Sequence, residues 1–175
     1  LEFSNFEDVI ITTFGDMVKV KGSKGYDLNE IRIRGGDVRV VYSAYDCLEI
    51  ARKNPDNNIV FVGVGFETTA PTVAATVKMA LENKINNFYV APLFKLVPPA
   101  LRFLIESKVS RIDGFILPGH VSVIIGARAY EFLDKEYKIP SVVTGFEPID
   151  ILRCVDVIMD SLNTKKNYFE LEYKR

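Results

Sequence analysis

An α/β fold built from parallel sheets with helices on both faces is predicted by the pattern of apolar residues. Short Val/Ile/Phe-rich runs alternate along the chain with segments of helical spacing. The short runs are apolar almost throughout, as strands covered on both sides are. A helical segment follows each of them, and parallel neighbours need a crossover of that kind.

Taken in order, strands are expected at 8–13, 38–42, 59–64, 87–91, 114–117 and 141–144, and helices at 28–34, 45–53, 71–83, 98–107, 122–137 and 148–162. The helix at 71–83 begins with Pro71 in its first turn, which leaves Thr68 or Thr69 as its N-cap.

With 175 residues, 48% of them hydrophobic and 26% charged, the chain has the length for a substantial core. The 22 Lys+Arg and 23 Asp+Glu are evenly spread and form no basic stripe, so neither nucleic acid nor an anionic membrane is an expected partner. No apolar run reaches the roughly 18 to 20 residues of a membrane span. The opening LEFSNFEDVI lacks the basic-then-apolar plan of a signal peptide, and a cytoplasmic location is expected. A start other than Met and the charged ending LEYKR fit a fragment. Cys47 and Cys154 lie far apart, each in a helical segment, and fit buried packing residues better than a bridge or a metal site.

Gly65-Phe66-Glu67 recurs 80 positions later as Gly145-Phe146-Glu147, each time between a strand and a helix. Counting back two strands from each copy reaches TTFGD and APLFK, and the middle strands pair VYSAYD with ILPGHV. The expectation is two similar βαβαβα halves around a cleft, with 1–66 part of a first α/β lobe and 67–175 a second; one continuous domain is the alternative. Open parallel sheets bind ligands beyond the carboxyl ends of their strands. Asp16, Glu67, Lys95, His120 and Glu147 all stand at such ends, after strands one, three, four, five and six.

Glu67 has two readings: a favourable charge at a helix start, or a carboxylate aimed at a ligand. The stretch Gly63-Val64-Gly65-Phe66-Glu67-Thr68 is a poor dinucleotide loop. Thr68 replaces the third glycine, a carboxylate sits where pyrophosphate needs bare N–H groups, and no acidic residue ends the next strand. There is no Walker loop and no nucleophile elbow, so no hydrolase triad is assigned. His120 can be a hydrogen-bonding residue or a catalyst. Glu67, His120 and Glu147 are ligand types that suit iron or manganese, but each glutamate already has an electrostatic reason to open a helix, and no metal is assigned.

TFGDM at 13–17, VYSAYDCLEIARKNP at 41–55, GFETTAP at 65–71, LVPPAL at 96–101, PGHVSVIIG at 118–126 and GFEPIDIL at 145–152 resemble, in the same order, the central part of the hydrogenase maturation factor HypD family. The resemblance implies α/β lobes around a cleft, and a scaffold on which the iron group of [NiFe]-hydrogenase, with its cyanide and carbon monoxide ligands, is assembled. A HypC-like chaperone and a HypE-like protein are the implied partners. It also implies that Glu67 and His120 act in the cleft, hydrogen-bonding cyanide nitrogens or passing protons to a thiolate. Gly65, Phe66, Thr68, Thr69, Pro118, Gly119, Val121, Ser122 and Gly126 are the implied binding residues, with Gly145, Phe146, Glu147 and Pro148 in the similar second block.

In the family, the iron-binding and redox cysteines lie upstream of the TFGDM block and the cluster cysteines lie downstream of the GFEP region. Cys47 and Cys154 match neither set. Iron and an iron-sulfur cluster are therefore expected in full-length relatives and no cofactor in this chain, with any thiol redox activity confined to the full-length protein. Phe94 stands where the resemblance places a histidine. The alternative function is a small-molecule-binding or enzymatic α/β domain that uses Glu67, His120 and Glu147 directly.

Overall fold

The computed structural model describes residues 7–107, 111–166 and 168–173. The chain divides into two compact units, Leu1–Lys95 and Leu96–Arg175, each with a parallel sheet.

In the first unit β1 (Val9–Thr13), β2 (Val38–Val40), β3 (Asn58–Gly65) and β4 (Phe88–Phe94) form a sheet of order β2-β1-β3-β4. The crossovers are α1 (Leu28–Ile33), α2 (Asp46–Lys53) and α3 (Ala70–Glu82). Alternation along the strands sends Ile10, Ile59 and Phe61 to one face, packed with Ala44, Cys47 and Ala51 in and before α2 and Val73 of α3. Val9, Ile11 and Val38 point to the other face, with Val18 and with Leu28 and Ile31 of α1. Asp27 starts α1 through a capping box: its carboxylate accepts from the Glu30 amide, and Glu30 accepts from the Asp27 amide.

In the second unit β5 (Phe115–Pro118), β6 (Ser141–Thr144) and β7 (Phe169–Leu171) pair in that order, all parallel. Its helices are α4 (Val97–Glu106), α5 (Gly119–Ile125), α6 (Phe132–Lys135) and α7 (Pro148–Thr164). Leu117 and Val143 pack with Leu101 of α4, Tyr130, and Phe132 and Leu133 of α6. The Arg102 guanidinium ties α4 to α6: it lies 4.1 Å from the Phe132 ring centre and donates to both Glu136 oxygens. α7 packs along β6 and β5.

Three expectations are corrected. The division falls after Lys95 and not between residues 66 and 67, because β4 pairs with β3 from Ile59↔Phe88 to Gly65↔Phe94 and so stays in the first sheet. That pairing also removes the repeat of three strands, since the counterpart of β1 belongs to the first sheet and β5 pairs directly with β6. The segment expected as one helix at 122–137 begins at Gly119 and is interrupted at Gly126, whose φ of 80° no helix accommodates. A short 3-10 turn (Ala127–Tyr130) and α6 follow. Among the described residues, no helix is long and apolar enough to cross a membrane.

Candidate functional site

In the first unit, β1 is flanked by β2 and β3, which the chain reaches by crossovers in opposite directions. That makes the carboxyl end of β1 the topological switch point, where an open α/β sheet leaves a crevice. A cavity of about 550 Å³ lies there. Phe14, Gly15, Asp16 and Met17 line it from the loop after β1, Tyr42 from the loop after β2, and Gly65, Phe66 and Thr69 from the GFETT block. Phe14 is held from below by an edge-to-face contact with Phe61, centroids 5.2 Å apart. The loop carrying Tyr42 is fixed by Asp46, whose carboxylate accepts from the amides of Tyr42 and Ser43 at 3.1 and 2.9 Å.

Gly65 is required by close approach. Its φ is 156°, and a Cβ there would lie 2.5 Å from Thr69 Oγ1. Thr69 occupies the N-cap position of α3 with a helical backbone and makes no capping hydrogen bond, so its side chain packs on Gly65 and does not close the helix. Thr68 is exposed, whereas Glu67 is only 4% exposed and is absent from the cavity lining. At the end of the central strand, Thr13 Oγ1 is buried with no hydrogen-bond partner among the described residues.

In the second unit, β5 ends at Pro118 and α5 begins at once, which places His120, exposed, in its first turn. Gly119 is buried with no room for a side chain: a Cβ would meet the Tyr173 ring and come within 2.7 Å of the Thr144 carbonyl oxygen. Val121 and Ser122 are buried, and the Ser122 hydroxyl donates to the Pro118 carbonyl at 3.0 Å, closing the turn. Gly145 is packed against the Asp150 carboxylate, and Thr144 Oγ1 donates to the Asp150 carbonyl at 3.3 Å. Phe146, Glu147 and Pro148 are exposed, and Phe146 lies against the His120 ring. The PGHVS and GFEP blocks therefore meet within one unit.

The two Gly-Phe-Glu copies differ in local structure. Glu67 is buried and Glu147 exposed, and of the two glycines only Gly65 takes a positive φ. Glu67 and His120 belong to different units. Reasoning from sequence missed Phe14, Gly15, Tyr42 and Tyr173 as neighbours of the motif residues. The signal for Tyr42 was its place just past a strand end, the rule that had singled out Asp16.

Phe94 is a packing residue. Its ring closes over Gly63, where a Cβ would come within 2.9 Å, and it joins the core between the first sheet and α2. Both cysteines are buried and free. Burial pushes the Cys47 thiol up to about 11, and its weaker hydrogen bond to Thr12 Oγ1, 3.2 Å, pulls the other way. Burial likewise raises Cys154 to about 11; its sulfur is 3.9 Å from the Val142 carbonyl oxygen. Among the described residues no three His, Cys, Asp or Glu side chains are grouped so as to hold a metal ion. Neutral thiols, one in each unit and both turned into cores, do not fit an iron-sulfur cluster.

Parallel sheets whose polar motifs follow the carboxyl ends of their strands, with a cavity at those ends in the first unit, define an α/β protein of the open parallel-sheet class. The sequence model of HypD, described as "Hydrogenase formation hypA family", matches residues 1–175, and the chain belongs to that family. It is 41% identical over 175 residues to the hydrogenase maturation factor HypD of Escherichia coli, covering 100% of this chain and 47% of that protein. The HypD of Rhodobacter capsulatus is 41% identical over 175 residues, with 100% and 46% covered. That of Cupriavidus necator is 38% identical over 174 residues, with 96% and 46% covered. The chain spans about half the length of the curated relatives it matches.

Proposed function

We propose that this chain is the core of a hydrogenase maturation scaffold, which holds an iron group bearing cyanide and carbon monoxide while [NiFe]-hydrogenase is assembled, together with a HypC-like chaperone and a HypE-like protein. The observation that carries this reading is the position of the family's blocks: each lies at the carboxyl end of a parallel strand, where such folds take their ligands. Iron enters as cargo, and the soft thiolates it needs come from the part of the polypeptide outside this chain.

Within the reading, Glu67 and His120, each in its own unit, act as groups that hold or move a proton during maturation. The carboxylate is held in a water-poor setting where a hydrogen bond to a charged group is strengthened. The imidazole is exposed and steadied by Phe146. Gly65 and Gly119 allow the backbone to pack where any side chain would collide.

The test replaces the matched stretch of Escherichia coli HypD by these residues in a strain that lacks its own HypD. Restored hydrogenase maturation, with HypC and HypE recovered on the chimera, supports the reading; a chimera that folds yet restores no activity overturns it. A second reading is favoured by the cavity itself, whose volume of about 550 Å³ falls in the range of small-molecule sites. In that case the isolated chain binds an organic ligand at Tyr42 and Phe66 and gains thermal stability from it.

A further inference from the structure

The cavity beyond β1 has a lining that packing does not explain. Three aromatic residues reach it from three different loops: Phe14 after β1, Tyr42 after β2 and Phe66 after β3. Tyr42 is 97% exposed and Phe66 48%, so neither ring serves to fill a core. Asp16 is the one charged residue in the lining, and no Lys, Arg or His reaches it. Its side chain is exposed and, among the described residues, makes no ion pair. The second unit shows what such a set of groups holds. There the Arg102 guanidinium lies 4.1 Å from the Phe132 ring centre and 5.9 Å from that of Tyr137, while two of its nitrogens donate to the Glu136 carboxylate. Rings and a carboxylate together take up one guanidinium. The cavity of the first unit has the same components and no guanidinium of its own.

We propose that this cavity binds a guanidinium group, carried by an arginine side chain or by a small molecule, with its charge paired to Asp16 and its plane against the rings of Tyr42 and Phe66. An aromatic ring attracts a cation to its face through its quadrupole. A guanidinium is planar and more weakly hydrated than an ammonium group, so it stacks on rings at a smaller desolvation cost, and it can meet a carboxylate with two parallel hydrogen bonds. An anion would meet only repulsion from Asp16, and a neutral molecule would leave that charge unpaired. The loops are also set in advance. The Met17 amide donates to the Phe14 carbonyl at 3.1 Å and closes the 3-10 turn that carries Asp16, the Tyr42 amide donates to Asp46, and the Thr69 amide donates to the Phe66 carbonyl at 3.0 Å. Little ordering of these loops is left for binding to impose. The proposal names a ligand class for the small-molecule reading of the cavity and rests on that reading; it does not depend on Glu67 or His120.

Amide NMR titrations of the isotope-labelled chain test it. The probes are N-acetyl-arginine methylamide, its uncharged isostere N-acetyl-citrulline methylamide, the anionic N-acetyl-glutamate methylamide, and butylguanidinium. The arginine probe is expected to shift the amides of Asp16, Tyr42 and Phe66 and to half-saturate at a concentration about tenfold lower than the citrulline probe. Asp16→Asn removes that preference, and Tyr42→Leu or Phe66→Leu, which keep apolar bulk without a ring face, each weaken the arginine probe about threefold. All three replaced residues are exposed, and unchanged amide signals from β1 and β3 verify the fold of each variant. Butylguanidinium that binds as tightly as the arginine probe points to a small molecule, and tighter binding of the arginine probe points to a side chain of a polypeptide; either supports the proposal. Equal affinity for the arginine and citrulline probes at these amides, or tighter binding of the glutamate probe, overturns it and leaves the small-molecule reading standing. No shift of these amides with any of the probes overturns the proposal and removes support from that reading as well.

Discussion

The imidazole of His120 lies against the ring of Phe146, centroids 5.0 Å apart and planes tilted by 44°. His120 opens the helix after β5 and Phe146 precedes the helix after β6, so adjacent parallel strands deliver the two rings to one spot. Phe146 is 73% exposed and contributes little to the core, which leaves orientation of the imidazole as its visible effect.

Phe146→Ala is therefore expected to remove the ring-current shift on the His120 carbon-bound protons while lowering stability by no more than about 1 kcal/mol. Proton NMR of the single histidine reads this directly. An unchanged His120 spectrum would mean that the ring contact does not persist in solution.

Gly65→Ala places a methyl group against Thr69 at a backbone angle that L-residues rarely adopt. A loss of about 1 to 3 kcal/mol is expected in urea unfolding. Combining it with Thr69→Gly relieves the collision and recovers part of that loss, so the two changes are non-additive. Additive losses would place the strain elsewhere.

Because the Cys47 thiol is pushed up from 9.0 to about 11 in the folded protein, folding favours its neutral form. Its contribution is complete below about pH 9 and is lost as pH rises through about 11. The two-unit difference corresponds to about 2 to 3 kcal/mol. In urea titrations at pH 7, 9 and 10.5, the native chain should lose stability at the alkaline end relative to Cys47→Ala. Parallel curves for the two proteins contradict this.

Much of the fold was legible because strands covered on both faces are written as uninterrupted apolar runs: β1, β3 and β6 lie within a residue of their expected bounds. β7 was missed because Phe169–Leu171 is three residues long and alternates with glutamates, too short for a periodic signal. Which sheet takes β4 was not legible either, since pairing with β3 or with β5 requires the same local pattern. Within the site, the strand-end rule located Glu67, His120 and Glu147 correctly after β3, β5 and β6. The matching triplets hid a difference, because the burial of Glu67 and the exposure of Glu147 depend on what packs around each loop.

On the proposed function, Glu67 serves the maturation reaction and is more than a charge near a helix start. As a dipole partner alone it would contribute a few tenths to about 1 kcal/mol of stability and nothing to function. The decisive measurement is the rate of hydrogenase maturation in the strain carrying the chimera, with Glu67→Gln, His120→Ala or Glu147→Gln introduced and folding checked in parallel. Glu67→Gln and His120→Ala are expected to leave a folded protein that matures hydrogenase much more slowly, with a smaller effect from Glu147→Gln. Maturation at the normal rate by folded Glu67→Gln and His120→Ala proteins would contradict it.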